Sequence, residues 1–106
     1  QPFLITGSPG GSRIITTVLQ LLLNVMRHDM NVAEATIAPR IHHQWLPDKV
    51  FYERGINTDT LSLLKQKGYH LQTTNTMGST QSIMFLQNTY FGYSDPRRPL
   101  AATLGL

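Results

Sequence analysis

The chain has 106 residues, enough for one domain, and nine basic against six acidic residues give it a formal net charge of +3. The basic residues are scattered and no aromatic residues alternate with them, so we expect no nucleic-acid partner. Because the chain has no cysteine, a disulfide framework, a thiolate zinc site and a cysteine nucleophile are excluded, and no apolar run approaches the roughly 20 residues that span a membrane.

The first element is a predicted strand over residues 2–6, where a continuous apolar run predicts burial of both faces. Gln1 leads directly into this strand, without a Met or a charged leader, so we expect the chain to be a piece of a longer protein. Residues 7–11 then predict a tight turn, and Ser12 is the expected N-cap of the helix that follows.

Two helices are predicted next. Apolar residues recur at helical spacing over residues 13–28, and we expect this helix to be mainly buried because its β-branched residues have poor helix propensity and need packing. The expected buried stripe consists of Ile14, Ile15, Val18, Leu19, Leu22, Val25 and Met26. A second, shorter helix begins at Asn31 and ends before Pro39.

The second half of the chain is predicted to be mostly strands. They cover residues 41–45, 49–53, 70–74, 81–86 and 90–93, the last two as a hairpin. A third helix begins at Asn57 and stops at Gly68. From Ser94 the pattern is lost, and we expect a loose tail in which Arg97 and Arg98 are solvated. The order β-α-α-β-β-α-β-β-β indicates an α/β or α+β fold with a layered sheet.

Gly10 and Gly11 lie where the first strand turns into the first helix. Glycine adopts positive φ and lets a ligand approach the backbone amides, and the start of a helix offers unpaired N–H groups with a partial positive charge. Such a junction can hold a phosphate, a carboxylate or a developing oxyanion. The spacing matches neither a phosphate-binding loop, nor a dinucleotide fingerprint, nor a nucleophile elbow around Ser8 or Ser12. A plain tight turn and an anion site therefore both stay open.

The remaining candidate residues favour structural roles. His42 and His43 point to opposite faces of a strand and are not expected to chelate a metal ion together. Residues 77–80 are interpreted as a loop before a strand, with the rim of an active site as the alternative. Asp95-Pro96 is interpreted as the start of an ordinary turn. We expect no metal and no cofactor.

Four stretches are distinctive enough to compare with known families. In chain order they are LITGSPGGSRIITTVLQ, NVAEATIAPRIHHQWLPD, MGSTQSIM and SDPR. Together they resemble the C-terminal part of the small subunit of bacterial gamma-glutamyltranspeptidases. The resemblance implies an α+β fold, the C-terminal portion of a layered αββα sandwich of the N-terminal nucleophile hydrolase type. It assigns residues 1–97 to that subunit and leaves residues 98–106 as a divergent tail.

The resemblance also implies a reaction. In this family a precursor cuts itself into a large and a small subunit, and the new N-terminal threonine attacks the gamma-glutamyl carbonyl of glutathione and related compounds. The acyl group then passes to water, an amino acid or a peptide. The implied partners are the rest of the small subunit, the large subunit and a gamma-glutamyl substrate. The implied location is the periplasm or the outside of a bacterial cell.

By the same resemblance, Gly10 and Gly11 match the glycine pair whose amides form the oxyanion hole. The threonine nucleophile and the glutamyl-binding groups would lie upstream or on the large subunit. Thr6, Thr16 and Thr17 cannot replace the nucleophile, because an internal threonine has no free α-amine. We therefore expect the chain to be inactive alone and, with an uncovered sheet face, to form homo-oligomers. The alternative is a non-enzymatic binding module that holds a carboxylate at the glycine junction.

Overall fold

The order of elements is the predicted one, in a computed structural model that describes residues 3–98 and 102–104. The strands are β1 (Leu4–Gly7), β2 (Ile41–His42), β3 (Val50–Tyr52), β4 (Leu71–Thr73), β5 (Gln81–Leu86) and β6 (Thr89–Ser94). The helices are α1 (Ile14–Met26), α2 (Val32–Ile37) and α3 (Thr58–Gln66), and one turn of 3-10 helix, Gly11–Arg13, precedes α1. Within the described residues, none of these helices has the length and apolar content that crossing a membrane requires.

The described strands form two separate three-stranded sheets. In the first sheet β5 lies between β1 and β6, and both pairings are antiparallel. In the second sheet β3 is antiparallel to β2 and parallel to β4, with α3 in the connection between the parallel strands. Gln87 and Asn88 join β5 to β6, and both have the positive φ that suits the twist of a two-residue hairpin turn.

The apolar core lies between the first sheet and the first two helices. It consists of Leu21, Val25, Val32, Ala35 and Met84, with Leu4, Met30 and Tyr93 packed against it.

α2 begins as the sequence predicts: Asn31 Oδ1 accepts a hydrogen bond from Glu34 N at 2.8 Å, and Asn31 N donates to Glu34 Oε1 at 3.1 Å. This reciprocal cap satisfies N–H groups at the start of the helix.

Two predictions about the first strand and its turn are wrong. β1 is not buried on both faces, because the helices cover only one face of its sheet, and Ile5 on the other face is 58% exposed. Ser12 does not cap α1, because it lies inside the 3-10 turn and its side chain hydrogen-bonds to Gln44 instead. The strand therefore enters the turn from a sheet with one uncovered face.

The predicted buried stripe of α1 is also largely wrong. The helix buries Thr17, Leu21 and Val25, which follow one another at a spacing of four residues. By contrast, Ile15 is 76% exposed and Met26 is 67% exposed. α1 thus has a second apolar face on the side away from the core, a pattern typical of a helix that is buried all round in a larger protein.

Candidate functional site

The glycine junction is a turn with two consecutive positive φ angles. Gly10 has φ of 139° and Gly11 has φ of 58°, so the backbone between β1 and α1 needs the freedom that only glycine provides at low cost. Both residues are exposed. Among residues 3–98 and 102–104, no carbonyl or side chain accepts a hydrogen bond from the N–H of either glycine. Two adjacent amides are therefore available at the start of the 3-10 turn that leads into α1.

The turn rests on the loop before β5. Ser8 Oγ accepts a hydrogen bond from Ser79 N at 2.9 Å and donates to Pro9 O at 2.7 Å. A Cβ on Gly10 would lie 3.8 Å from Gly78 Cα, so the two backbones pack against each other. Residues 77–80, interpreted from the sequence as a plain loop, form the floor beneath the glycine turn.

Gly78 has no room for a side chain. Its φ is +69°, and a Cβ at this position would lie 2.6 Å from Ser8 Oγ and 2.9 Å from Thr17 Cγ2. Real Cβ contacts are almost never this short, so alanine here would push the loop and the turn apart. Thr17 Oγ1 is buried and has no hydrogen-bond partner within the described residues. Its side chain therefore acts at this contact by packing.

A polar chain braces the other side of the turn. Ser12 Oγ donates to Gln44 Oε1 at 3.0 Å. His42 Nε2 lies 2.9 Å from the same oxygen, and because a carboxamide oxygen only accepts, Nε2 carries the proton of this hydrogen bond. His42 Nδ1 lies 2.7 Å from Thr16 Oγ1. His42 is thus a buried structural group, as the sequence reasoning favoured.

His43 follows β2 and is more exposed than His42. It contacts exposed Asp48 at 3.1 Å, a carboxylate partner that the sequence reasoning missed. In the part of the chain that the structure describes, no three His, Asp or Glu side chains are placed to hold a metal ion. Thr6, which the sequence reasoning excluded as the nucleophile, pairs its hydroxyl with Ser82 Oγ at 2.8 Å across the first sheet.

Two arginines and two carboxylates form a buried charged cluster, Arg40, Glu53, Asp95 and Arg97. Arg97 donates two hydrogen bonds to the Glu53 carboxylate, from Nε to Oε2 at 2.8 Å and from Nη2 to Oε1 at 2.6 Å. Arg40 Nη1 contacts Asp95 Oδ2 at 2.9 Å, and Arg97 Nη1 reaches Asp95 Oδ1 at 3.1 Å. None of the four side chains is more than 8% exposed. The charges balance, which is the condition under which such groups tolerate burial.

The charged cluster holds both ends of the floor loop. Glu53 Oε2 accepts from Met77 N at 2.6 Å, and Arg40 Nη1 donates to Met77 O at 2.7 Å. At the other end, Asp95 Oδ2 accepts from Thr80 N at 3.0 Å. The backbone of residues 77–80 is therefore tied to buried charges at both ends.

The ionisation of the cluster follows from its contacts. Burial raises the pKa of the Glu53 carboxyl, but hydrogen bonds from Arg97 and Met77 N outweigh it, so the pKa lies below its ordinary value. The pKa of Asp95 is likewise lowered, since N–H groups of Thr80 and Arg97 and two guanidinium charges overcome the effect of burial. Burial lowers the pKa of Arg97, but its hydrogen bond and charge contact with Glu53 outweigh this effect, so the pKa lies above its ordinary value. The pKa of Arg40 falls through burial and repulsion from Arg97.

The sequence reasoning missed this cluster and was wrong about Arg97. Arg97 is not a solvated tail residue: its side chain is 8% exposed and also donates to Thr36 O at 2.6 Å. Asp95 starts a turn, since Oδ1 accepts from Arg97 N, but it is also fully buried against Arg40. Arg98, the second residue of the expected solvated pair, is exposed. The four residues of the cluster come from distant parts of the chain, so no local sequence pattern could predict their contact.

The comparison with known proteins decides the family. The gamma-glutamyltranspeptidase family model matches residues 1–104. The chain belongs to this family. A glutathione hydrolase proenzyme of Escherichia coli strain K12 is 57% identical over 98 residues, which are 92% of this chain and 17% of that protein. This gamma-glutamyltranspeptidase chain therefore spans about a sixth of that relative's length, given the 17% covered.

Solved structures give the same answer for the fold. The Helicobacter pylori gamma-glutamyltranspeptidase T380A mutant matches with a TM-score of 0.88 and 46% identity, over 91% of this chain and 54% of that chain. The Bacillus anthracis transpeptidase CapD matches with a TM-score of 0.78 over 96% of this chain and 63% of that chain, and at 19% identity it shows the fold alone. The two small sheets and their helices are thus part of the N-terminal nucleophile hydrolase sandwich that the sequence predicts.

Proposed function

We propose that this chain supplies the oxyanion hole of a gamma-glutamyl acyltransferase and hydrolase that acts on glutathione and related compounds. The amides of Gly10 and Gly11 hold the negative oxygen that develops on the gamma-glutamyl carbonyl during attack. The observation that carries this proposal is the pair of adjacent amides without an internal acceptor, among the described residues, at the start of the 3-10 turn that leads into α1. The partial positive charge of a helix start adds to their attraction for an oxyanion.

The remaining chemistry belongs to groups outside this chain. The nucleophile is the N-terminal threonine of the small subunit, whose own α-amine acts as base, and the large subunit contributes further contacts to the substrate. Attack forms the bond from the threonine oxygen to the carbonyl carbon while the α-amine takes the hydroxyl proton. The C–N bond of the gamma-glutamyl amide then breaks, and the leaving amine takes this proton as the acyl-enzyme forms. Water or an amino acid then releases the glutamyl group. In each tetrahedral intermediate, Gly10 and Gly11 stabilise the same oxygen.

The chain alone should release no p-nitroaniline from gamma-glutamyl-p-nitroanilide. Its first residue is glutamine, and of the three threonines weighed as nucleophiles, Thr6 and Thr16 are hydrogen-bonded through their hydroxyls and Thr17 is buried. Absorbance at the p-nitroaniline maximum measures the release, with the E. coli relative as the positive control. Turnover by the purified chain would contradict the assignment of the nucleophile.

A chimera tests the glycine pair directly. In it, the matching segment of the E. coli proenzyme is replaced by this chain, with which it is 57% identical. Replacing the Gly11 amide by an ester, with glycolic acid in place of glycine, removes one N–H and adds no side chain. We expect kcat to fall by about 10²–10³, the usual effect of losing one oxyanion donor.

The same ester substitution at Gly68 is the matched control. Gly68 follows α3 with φ of +92°, and its ester removes only the N–H that donates to Lys65 O at 3.0 Å at the end of this helix, so kcat should stay at the parental level. An active chimera in which the Gly11 ester keeps parental kcat would contradict the oxyanion role. A parental chimera that is processed but inactive would favour the alternative function, a non-enzymatic module that holds a carboxylate, which isothermal titration of glutamate into the chain would then test.

We also propose that the rest of the precursor covers the exposed apolar faces of this chain. Ile5 and Ile83 pair on the uncovered side of the first sheet, and Ile15 and Met26 are exposed on α1. The chain by itself should therefore associate into homo-oligomers, which light scattering measures. A monodisperse monomer would contradict this expectation.

The family resemblance further supports a periplasmic or secreted location, which fractionation of the bacterial cell tests.

A further inference from the structure

We propose that Ser8 and Gly78 are positioning residues that set the direction of the Gly10 and Gly11 amides. This inference rests on the proposed function, since it concerns how the same oxyanion hole is held. Neither Ser8 nor Gly78 touches the reacting carbonyl in this proposal. They act through the contact between the floor loop, residues 77–80, and the glycine turn, residues 7–11.

The first step is the rigidity of the floor loop. Its two ends are held by Glu53, Arg40 and Asp95, through the hydrogen bonds to Met77 and Thr80 described above. Met77, Ser79 and Thr80 are each at most 2% exposed. A loop that is buried and tied to balanced charges at both ends has little freedom to follow a movement of the turn above it.

The second step is the transfer of this rigidity to the turn. The only side-chain hydrogen bond from the floor loop to the turn, among the described residues, joins Ser79 N to Ser8 Oγ at 2.9 Å. Beside it, the missing side chain of Gly78 lets the loop approach Ser8 and Thr17 closely. The hydrogen bond sets the position of the turn along the loop, and the glycine sets the distance between them.

The third step is the sensitivity of oxyanion stabilisation to position. Donors must lie about 2.7–3.1 Å from the place the oxyanion will occupy, and a misplacement of about 1 Å can cost 10²-fold in rate. Gly10 and Gly11 have positive φ and, within the described residues, no internal partner for their N–H groups, so their direction depends on what the turn packs against. Ser8 and Gly78 provide that packing.

The test uses the processed chimera with the E. coli proenzyme and the variants Gly78→Ala, Ser8→Ala and Ser8→Thr. We expect Gly78→Ala to lower kcat by about tenfold or more while KM stays within about twofold, because ground-state binding is made elsewhere. Ser8→Ala should lower kcat several-fold, and Ser8→Thr, which keeps the hydroxyl acceptor, should restore part of the loss. The inhibition constant of a boronic acid analogue of the gamma-glutamyl group, which forms a tetrahedral adduct, should rise in proportion.

Gly68→Ala is the matched control for the backbone cost of alanine at positive φ. Gly68 has φ of +92°, but a Cβ at this position would have no neighbouring atom within 4 Å, so the alanine variant meets no steric obstacle. It should keep kcat and KM within about twofold of the parent, since a surface change away from the site has a small effect. If Gly78→Ala is not processed into two subunits, the Ser8 pair decides the question.

The outcomes separate the two proposals. A parental chimera that is processed but inactive overturns the proposed function and this inference with it. An active chimera whose kcat falls with the Gly11 ester, but is unchanged by Gly78→Ala and Ser8→Ala, overturns this inference alone. A rise in KM without a fall in kcat also overturns it, because the residues would then act on substrate binding. A fall in kcat with parallel weakening of the boronate supports it.

Discussion

The glycine turn and the charged cluster differ in whether their polar groups are buried and have hydrogen-bond partners. At the turn, the amides of Gly10 and Gly11 are exposed and have no acceptor among the described residues. In the cluster, Glu53 and Asp95 are buried and accept hydrogen bonds from both guanidinium and backbone N–H groups. In the proposed function, the turn keeps its donors for a reacting group, whereas the cluster pairs the polar groups that it buries.

In our proposal, this difference separates the groups that act on the substrate from the groups that hold them in position. An unpaired amide is useful to a transition state only if its position is fixed beforehand. A turn of glycines is too flexible to fix itself, because glycine has the widest choice of backbone conformations. In our proposal, the buried charges fix these positions through the floor loop. Substitutions in the cluster should therefore change stability most, and those in the turn should change activity most.

The largest expected change in stability is that of Asp95→Ala. The substitution leaves Arg40 buried without its carboxylate and Thr80 N without its acceptor. We expect the free energy of unfolding to fall by about 3–5 kcal/mol, the usual cost of breaking a buried ion pair from one side. Urea unfolding of the chain, followed by circular dichroism, measures the loss. A fall of less than about 1 kcal/mol would mean that the cluster contributes no more than a surface pair.

Acid should weaken the same cluster. The folded pKa values of Glu53 and Asp95 lie below their ordinary values, so the folded state binds fewer protons than the unfolded state in acid. Stability from these groups is complete above the unfolded pKa values of about 4 and is lost as pH falls through the lower folded values. Unfolding at a series of pH values from 7 to 3 should show this loss, and Glu53→Gln should make it shallower. Equal slopes in both proteins would contradict the prediction.

The turn should show the reverse pattern. Gly11→Ala places an alanine at φ of 58° in open space, at a cost of about 1–2 kcal/mol in unfolding free energy. In the chimera, the same variant should lower kcat by a larger factor than that stability loss predicts, because the amide is moved from its working position. The comparison of urea unfolding with kcat measures the two effects. Equal effects of Asp95→Ala and Gly11→Ala on kcat and on stability would remove the distinction between the regions.

The smallest effect is expected from the exposed contact between His43 and Asp48. Asp48→Ala removes the partner of His43, a carboxylate that is 80% exposed. We expect a change in unfolding free energy within about 0.5 kcal/mol, because solvent screens such pairs. Measured under the same conditions as Asp95→Ala, it is the matched control for loss of an aspartate charge. A loss as large as that of Asp95→Ala would show that burial is not what makes the cluster stabilising.

Local patterns in the sequence predicted the elements well but their burial poorly. Asn31 and Asn57 cap helices as expected, since a cap depends on a few adjacent residues. The apolar period of α1 predicted a helix correctly, yet it did not reveal that Leu21 would face the core and Ile15 the outside. Two apolar faces give the same helical pattern, and only the neighbouring sheet and α2 select between them.

The sequence by itself determined the family, the order of elements and the glycine pair at the junction. These features depend on short stretches whose residue types act locally: a strand, two glycines and a helix start. Only the tertiary structure decided that Arg97 and Asp95 are buried with Arg40 and Glu53, and that Gly78 lies against Ser8. The members of the cluster come from separate elements, and their charges are stable in the interior only because folding brings opposite charges and backbone donors together.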